Sequence, residues 1–275
     1  MVMTVLNNTS QPAGCQHSGS MKSTDVGEIP VDWQVVDAGD IGQFKGGSGF
    51  PLTYQGKQQG DHPFFKVSDM SNAENAISLK KANHYISGNV RRALGAYLYP
   101  VNTIVFAKVG AAIFLERKRV LETPSCIDNN MAGFIISDPH IEPRYIYHFL
   151  TNYKLGSLVS TTALPSLNGS VLRRVKIPLP TEAEQAAIAE ALDDADRHIE
   201  ALERLIENKR RIKKGAMQEL LFGRRRLPGF SGEWFRQKFA EIAEICNRRI
   251  NPAVVGRQPF CVELEHISQA TGRLD

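Results

Sequence analysis

Basic, amide and hydroxyl side chains gather in a few stretches of the chain, and their types suit contact with a nucleic-acid duplex. Phosphate oxygens are bound by Lys, Arg, Ser, Thr and backbone amides. Base edges in the major groove are read by Arg, Lys, Asn and Gln, which can make paired hydrogen bonds. Any one of these residues is more often an ordinary solvated side chain, so we predict contact for the groups jointly. The candidates are Lys45, Ser48, Tyr54, Lys57, Asn89, Arg91, Arg92, Lys108, Lys118, Arg119 and Asn130.

The sequence carries no complete catalytic motif. Gly46-Gly47-Ser48-Gly49-Phe50 is rich in glycine, but no acidic residue follows at the distance that a ribose-binding βαβ unit requires. Asn251-Pro252-Ala253-Val254 begins like the catalytic loop of amino-methyltransferases. It lacks the second proline and the aromatic ring that hold a flipped base. Phosphate-loop, HExxH and GxSxG patterns are also absent. We therefore expect no enzymatic activity, no metal and no cofactor.

Composition is compatible with a nucleic-acid partner without requiring one. The 275 residues carry a net charge of +4, and 42% of them are hydrophobic, which suffices for a stable core. The four cysteines suit neither a zinc site nor a disulfide framework, so we expect reduced thiols in a cytoplasmic protein. No apolar run approaches the roughly 20 residues that span a bilayer, and we expect no membrane partner.

These side chains must be positioned by a strand-rich first domain. Residues 1–25 are polar and are expected to be a disordered leader, with Met21 as another candidate for the start of the fold. Residues 26–180 predict one mixed α+β domain. Short β-type runs lie at Phe64–Val67, Thr103–Phe106, Ala112–Leu115 and Gly133–Ile136, and helices are expected at Val90–Leu98 and Pro143–Leu150.

A long coiled-coil-type helix is predicted over residues 181–223. Thr181 suits the N-cap and Gly223 suits the residue that follows the helix end. A seam with 4-3-4-3-4 spacing is typical of helix pairing. Such a helix is about 60 Å long, too long for the first domain to cover, although a helix lying on its own domain remains the alternative. The seam residues are Ile188, Leu192, Ala195, Ile199, Leu202 and Ile206.

The end of the sequence repeats its beginning. Val31-Asp32-Trp33 is echoed by Gly232-Glu233-Trp234, and Asp40-Ile41 by Glu241-Ile242. The period is about 200 residues. Residues 224–275 are therefore expected to be the start of an incomplete second domain.

Several motifs fall in the order and spacing of a known family. The chain resembles the specificity subunit of type I restriction–modification enzymes, in which a target-recognition domain ends in an Ile-Pro-Leu-Pro-Pro segment that opens a spacer helix. Thr181 replaces the last proline of that segment. The motifs that carry the resemblance are Leu164–Asn168, Val175–Pro180, Glu184-Gln185, Lys214–Gly223, Arg226–Trp234 and Glu263–Ile267.

The resemblance implies a non-catalytic chain that binds double-stranded DNA. In this family two target-recognition domains each read half of a split site, and two antiparallel spacer helices set the distance between them. Partner modification subunits methylate DNA with S-adenosylmethionine, and restriction subunits cleave it. It follows that residues 26–180 would be the target-recognition domain, 181–223 the spacer helix and 224–275 the start of a second recognition domain.

Two copies of the chain are expected to supply each other's missing spacer helix. A fragment that waits for partner subunits or for another specificity polypeptide is the alternative. Two other functions stay open on the residues alone. One is a stand-alone methyltransferase or nuclease, against which the missing motifs speak. The other is a protein-interaction scaffold with a basic helix and only non-specific DNA affinity.

Overall fold

The computed structural model describes residues 20–159, 165–245 and 267. The chain divides into two units, residues 1–205 and 206–275. Twelve strands are described: β1 (Met21–Thr24), β2 (Gly27–Pro30), β3 (Gln34–Asp37), β4 (Gly42–Gly46), β5 (His62–Phe65), β6 (Ser78–Leu79), β7 (Tyr85–Ile86), β8 (Ile104–Ala107), β9 (Lys118–Leu121), β10 (Cys126–Ile127), β11 (Met131–Ile136) and β12 (Lys176–Leu179). The α-helices are α1 (Ala38–Ile41), α2 (Gly88–Ala93), α3 (Pro143–Asn152), α4 (Gly169–Leu172), α5 (Glu182–Leu221) and α6 (Phe239–Ile242).

A five-stranded sheet forms the centre of the first unit, with the strand order β4-β11-β8-β9-β6. All pairs are antiparallel except β6 with β9. Every residue of β8 is buried, because both faces of the sheet are covered. Ile104 and Phe106 pack into the layer that contains α3, whereas Val105 points to the opposite layer with Phe65. This alternation is the period of two that a strand imposes.

Two smaller sheets flank the centre. Strand β5 pairs with β10 in parallel and with β7 antiparallel, and α2 packs beside them through Val90 and Leu94. Strand β3 pairs antiparallel with β12. An early strand and the last strand of the domain therefore lie next to each other, and α5 begins just after β12.

The predicted α+β architecture with a long helix is confirmed, but three local predictions are wrong. Residues 21–24 were assigned to a disordered leader, yet they form strand β1, because they hydrogen-bond to β2 in a hairpin. Residues 112–115 were predicted as a strand and form a 3₁₀ helix instead. Gly110 and Glu116 have φ angles of 77° and 52° at its two ends, which interrupt an extended chain. The helix predicted to reach Leu98 ends at Ala93, just before Gly95 with its φ of 59°.

Helix α5 begins and ends close to the predicted residues. The carbonyl of Thr181 accepts hydrogen bonds from the amides of Glu184 and Gln185 at 3.0 and 2.8 Å. Glu182 and Glu184 lie in the first turn, where a carboxylate is favoured by the helix dipole. Gly223 has a φ of 68°, as a residue just past a helix end commonly has.

Among the described residues, no helix combines the length and apolarity needed to cross a membrane.

The second unit contains a short element that matches one in the first. Helix α6 (Phe-Ala-Glu-Ile) follows α1 (Ala-Gly-Asp-Ile) at the predicted period of about 200 residues. The residue before each helix is extended. The predicted leader up to residue 19, the Asn251-Pro252 motif and most of the Glu263–Ile267 motif lie outside the described residues.

Candidate nucleic-acid interface

The glycine-rich segment after β4 lies directly on neighbouring backbone. The amides of Gly47 and Ser48 donate to the carbonyls of Met131 and Ile127, each at 3.0 Å. A Cβ atom at Gly47 would lie 2.0 Å from the carbonyl oxygen of Asp128. Only glycine allows this approach, so Gly47 has a packing role rather than a role in binding a nucleotide.

Two predicted cations flank this segment. The ammonium of Lys45 lies 3.4 Å from the centre of the Tyr97 ring, a cation–π contact that fixes its position. Lys108 follows β8, and its Nζ would lie 2.6 Å from a Cβ at Gly46. The amide of Lys108 donates to the carbonyl of Asn130 at 2.8 Å. The structure thus brings Lys45, Lys108 and Asn130 together at one end of β4, β8 and β11.

The loop from Gly47 to Gly60 is held against the small sheet. Phe50 stacks on Phe64 with 3.8 Å between ring centres. The carbonyl of Lys57 accepts a hydrogen bond from the amide of Tyr85 at 2.8 Å. The side chain of Lys57 is exposed, whereas Ser48 and Tyr54 are half-buried.

Helix α2 adds a second group of predicted residues. Ser87 caps it by accepting from the amide of Val90 at 3.3 Å. Asn89 and Arg92 are exposed, and a guanidinium N–H of Arg92 donates to the amide oxygen of Asn89. Arg91 is half-buried and donates to the carbonyl of Ala96 at 3.2 Å. Because Phe50 and Val90 pack in the same cluster, α2 and the loop border one surface. We call the predicted side chains around it the basic rim: Lys45, Ser48, Tyr54, Lys57, Asn89, Arg91, Arg92, Lys108 and Asn130.

Lys118 and Arg119 do not belong to the basic rim, and the structure corrects their expected exposure. The Lys118 side chain is only 1% exposed and forms an ion pair with Glu116. Its ammonium also donates to the carbonyl of Tyr153 at 2.8 Å. Arg119 donates to the carbonyls of Lys118 and Met70 at 2.7 and 3.2 Å. Lys118 lies opposite Phe106 and faces the layer that contains α3, whereas Arg119 lies opposite Val105 and faces the other layer, where it is half-buried.

Burial and ion pairing act in opposite directions on the Lys118–Glu116 pair. Burial lowers the pKa of Lys118, and contact with Glu116 offsets part of that effect. Burial raises the pKa of Glu116, but hydrogen bonds from Lys118 and from the amides of Gly156 and Leu155 lower it on balance. A charged pair inside the fold is therefore maintained by its own hydrogen bonds, and it has a structural role.

A polar anchor that the sequence did not suggest fastens α5 to α3. The Nε of Arg144 lies 3.0 Å from both carboxylate oxygens of Asp193. His148, one turn further along α3, hydrogen-bonds to the same carboxylate at 2.7 Å. Burial raises the pKa of Asp193, but the hydrogen bonds from Arg144 and His148 outweigh it, so the net pKa is lowered. Arg144 and His148 are four residues apart, so the sequence places them on one face of α3. It does not reveal their shared partner, Asp193, which lies more than 40 positions away.

Further contacts fix the first turns of α5. Gln185 is buried; its side-chain oxygen accepts from the amide of Glu142 at 3.0 Å, and its amide donates to the carbonyl of Pro180 at 3.0 Å. The indole of Trp33 donates to a carboxylate oxygen of Glu184 at 3.1 Å. The Glu-Gln pair and the repeated Trp, noticed as sequence motifs, thus meet at the start of this helix.

The anchor also contains the one group of side chains in the described residues whose geometry suits a metal ion. Ligand atoms of His148, Asp193 and Asp196 lie within 4.8 Å of one another. The guanidinium of Arg144 already contacts the Asp193 carboxylate and would repel a cation there. We assign this group to the anchor and not to a metal centre.

The predicted seam residues of α5 differ in exposure. Ile188 is partly buried against the core of the first unit, next to the buried Ala189. Further along the helix, Leu192, Ile199, Leu202 and Ile206 are 42–53% exposed, and Ala195 is exposed as well. Within the first unit, only the beginning of the seam is covered.

A family model described as "Type I restriction modification DNA specificity domain" matches residues 30–209. The chain belongs to this family. The match includes the basic rim, the anchor and the exposed part of the seam up to Ile206.

Individual relatives agree with this assignment. The type I restriction enzyme MjaIX specificity subunit of Methanocaldococcus jannaschii is 28% identical over 193 residues, which are 69% of this chain and 42% of that protein. The MjaVIII specificity subunit of the same organism is 26% identical over 228 residues, or 76% of this chain and 50% of that protein. The chain thus spans about half the length of these curated relatives.

A solved structure shares the fold. It comes from work on the assembly and conformational transition of the type I restriction–modification system, and it matches with a TM-score of 0.52 at 16% identity. The match covers 74% of this chain and 47% of that one.

Proposed function

We propose that this chain is a specificity subunit that binds double-stranded DNA at a particular sequence and directs partner modification and restriction subunits to it. The observation that carries the proposal is the basic rim. Its exposed members, Lys45, Lys57, Asn89, Arg92 and Asn130, stand on a loop, a helix and strand ends that hydrogen bonds hold in place. Membership in a DNA-specificity family supports the same conclusion.

The two kinds of side chain in the basic rim have different proposed tasks. Lys45, Lys57 and Lys108 neutralise phosphates, which gives affinity and steep salt dependence but no sequence information. Asn89 and Asn130 carry an amide that can pair with adenine in the major groove, and Arg92 a guanidinium that can pair with guanine. We propose that the chain itself is non-catalytic and that methyl transfer and cleavage belong to its partners.

Salt-dependent binding tests the proposed interface. The full chain, with and without modification subunits, is titrated with labelled duplex at several salt concentrations. Lys57→Met and Lys108→Met are each expected to lower the slope of log K against log salt by about one. Lys80→Met is the matched control, because Lys80 lies beside β6, at the sheet edge opposite β4, and pairs with Glu122 at 3.5 Å. Equal effects of all three variants would contradict the interface.

Sequence preference separates this function from a basic scaffold. Mapping of methylated sites in DNA modified by the assembled complex is expected to return one recurring target. DNA binding that shows no sequence preference even in the presence of modification subunits would overturn the proposal. It would favour a scaffold whose basic helix gives only non-specific DNA affinity.

We further propose that two copies pair through α5. The exposed seam residues Leu192, Ile199, Leu202 and Ile206 follow the spacing of paired helices, so a second α5 fits them. A two-fold pair would present two identical recognition domains, which suits a DNA site with an inverted repeat.

Sedimentation at micromolar concentration, without partners, tests the pairing. The wild-type chain is expected to form a dimer, and Leu202→Asp to sediment as a monomer because it places a charge in the seam. Ala201→Asp is the control, since it puts the same charge on the adjacent exposed position off the seam. A wild-type chain that is entirely monomeric, or a dimer that survives Leu202→Asp, would refute the pairing.

A further inference from the structure

Leu52 stands out at the tip of the loop that carries part of the basic rim. It is 84% exposed, whereas the next most exposed large apolar side chain described in the first unit, Leu115, is 56% exposed. Single exposed leucines are common on protein surfaces. This one differs from them in how firmly its backbone is held.

The turn that presents Leu52 is fixed on both sides. Leu52–Tyr54 forms a 3₁₀ turn in which the carbonyls of Pro51 and Leu52 accept from Tyr54 and Gln55, each at 3.1 Å. The Gln55 side chain donates to the carbonyl of Phe50 at 2.7 Å and accepts from Lys66 at 3.0 Å. Next to it, the amide of Gly56 donates to His84 Nδ1 at 2.8 Å.

A fixed aliphatic tip therefore projects from a loop that has cations on both sides. Lys45 precedes it and Lys57 follows it, and both are exposed. Positive charge of this kind attracts a phosphate backbone. The apolar group that distinguishes one base from the others in the major groove is the 5-methyl group of thymine.

We propose that Leu52 contacts the 5-methyl group of one thymine in the major groove and so determines one position of the target. The inference rests on the proposed DNA-binding function. Leucine has no hydrogen-bonding group, so it selects for the methyl group alone. Burial of one methyl-sized group corresponds to about a fourfold preference, smaller than a paired hydrogen bond supplies.

Selection from random duplexes tests the assignment with the full-length chain. One pool is made with thymidine and a second with deoxyuridine, which lacks only the methyl group. The wild type is expected to enrich thymine about fourfold at one position. That preference is lost with the deoxyuridine pool, and Leu52→Ala loses it with the thymidine pool while keeping the other preferences. Val101→Ala is the control, an exposed aliphatic residue before β8, at the strand end away from Lys108.

The outcomes separate the two levels of the proposal. A wild-type chain that enriches no sequence overturns the proposed function and the role of Leu52 together. A wild type that enriches a sequence but treats thymine and uracil alike overturns the role of Leu52 alone. The role of Leu52 is also overturned if Leu52→Ala weakens the preference at all positions of the target equally. It is overturned as well if 2-aminopurine fluorescence shows that Leu52 inserts between two bases and unstacks them.

Discussion

Replacing Asp193 with Asn should loosen the attachment of α5 to α3. The substitution keeps the shape of the side chain but removes the charge that Arg144 and His148 share. In the structure, Arg144 contacts both carboxylate oxygens and His148 contacts one of them. An asparagine can accept only through a single oxygen, and its amide group would face a donor.

The size of the effect follows from partial burial. The side chains of Arg144 and Asp193 are 23% and 26% exposed, between the surface pairs that contribute little and the buried pairs whose disruption costs several kcal/mol. Hydrogen bonds to charged groups contribute about 1.5–3 kcal/mol. We expect Asp193→Asn to lower the free energy of unfolding by about 2 kcal/mol, which lowers Tm by about 4–8 °C for a unit of this size.

Thermal unfolding of the full chain, followed by circular dichroism, measures this change. Asp194→Asn is the matched control, because Asp194 is the adjacent residue and pairs only with Arg197, with both side chains more than 60% exposed. A double-mutant cycle with Arg144→Met should give a coupling energy of at least about 1 kcal/mol. A Tm change for Asp193→Asn no larger than that of Asp194→Asn would refute the anchor.

The stability difference should also depend on pH with a fixed sign. Because the folded-state pKa of Asp193 is lowered, its contribution is present above the ordinary carboxyl pKa of about 3.9. It is lost as pH falls through the lower folded-state value. The wild type and Asp193→Asn should therefore differ fully at neutral pH and converge in strong acid. A difference that persisted unchanged in strong acid would mean that the carboxylate charge is not responsible.

Two further substitutions test packing. Gly47→Ala should lower Tm and DNA affinity together, because its Cβ would lie 2.0 Å from the Asp128 carbonyl; overpacking of this kind costs about 1–3 kcal/mol. Gly49→Ala meets no atom within 4 Å and should leave Tm unchanged, and equal Tm values for the two variants would contradict the close contact. Lys118→Met should lower the unfolding free energy in denaturant titration by about 2 kcal/mol, because it removes the ion pair between buried Lys118 and partly exposed Glu116. If Lys118→Met instead weakened DNA binding without lowering stability, Lys118 would have a role in DNA contact and not in the fold.

The long helix could be predicted because its signals are local. Thr181 at the start, Gly223 at the end and a regular apolar seam all lie within one stretch of sequence. The two strands β8 and β11 were predicted for the same reason, since each is a short β-branched or aromatic run between turn residues.

The sequence alone does not distinguish the lysines that are buried in the domain from those that are exposed on its surface. Lys108 and Lys118 are of the same type and ten positions apart; Lys108 follows β8 and Lys118 begins β9. Lys118 is buried because α3 covers β9 and because Glu116, held at a φ of 52°, turns its carboxylate inward. Both causes are tertiary. The Arg144–Asp193 contact was missed likewise, because it joins residues 49 positions apart.

The pairing of β3 with β12 brings together the two chain segments that flank the rest of the first domain. Asp37 and Lys176 face each other in register, and their side chains form an ion pair at 3.0 Å. The segment between them can therefore be exchanged for one of different length while the two flanking strands keep their separation. Under the proposed function, recombination at these two strands would replace the DNA preference of the chain and leave helix α5 unchanged.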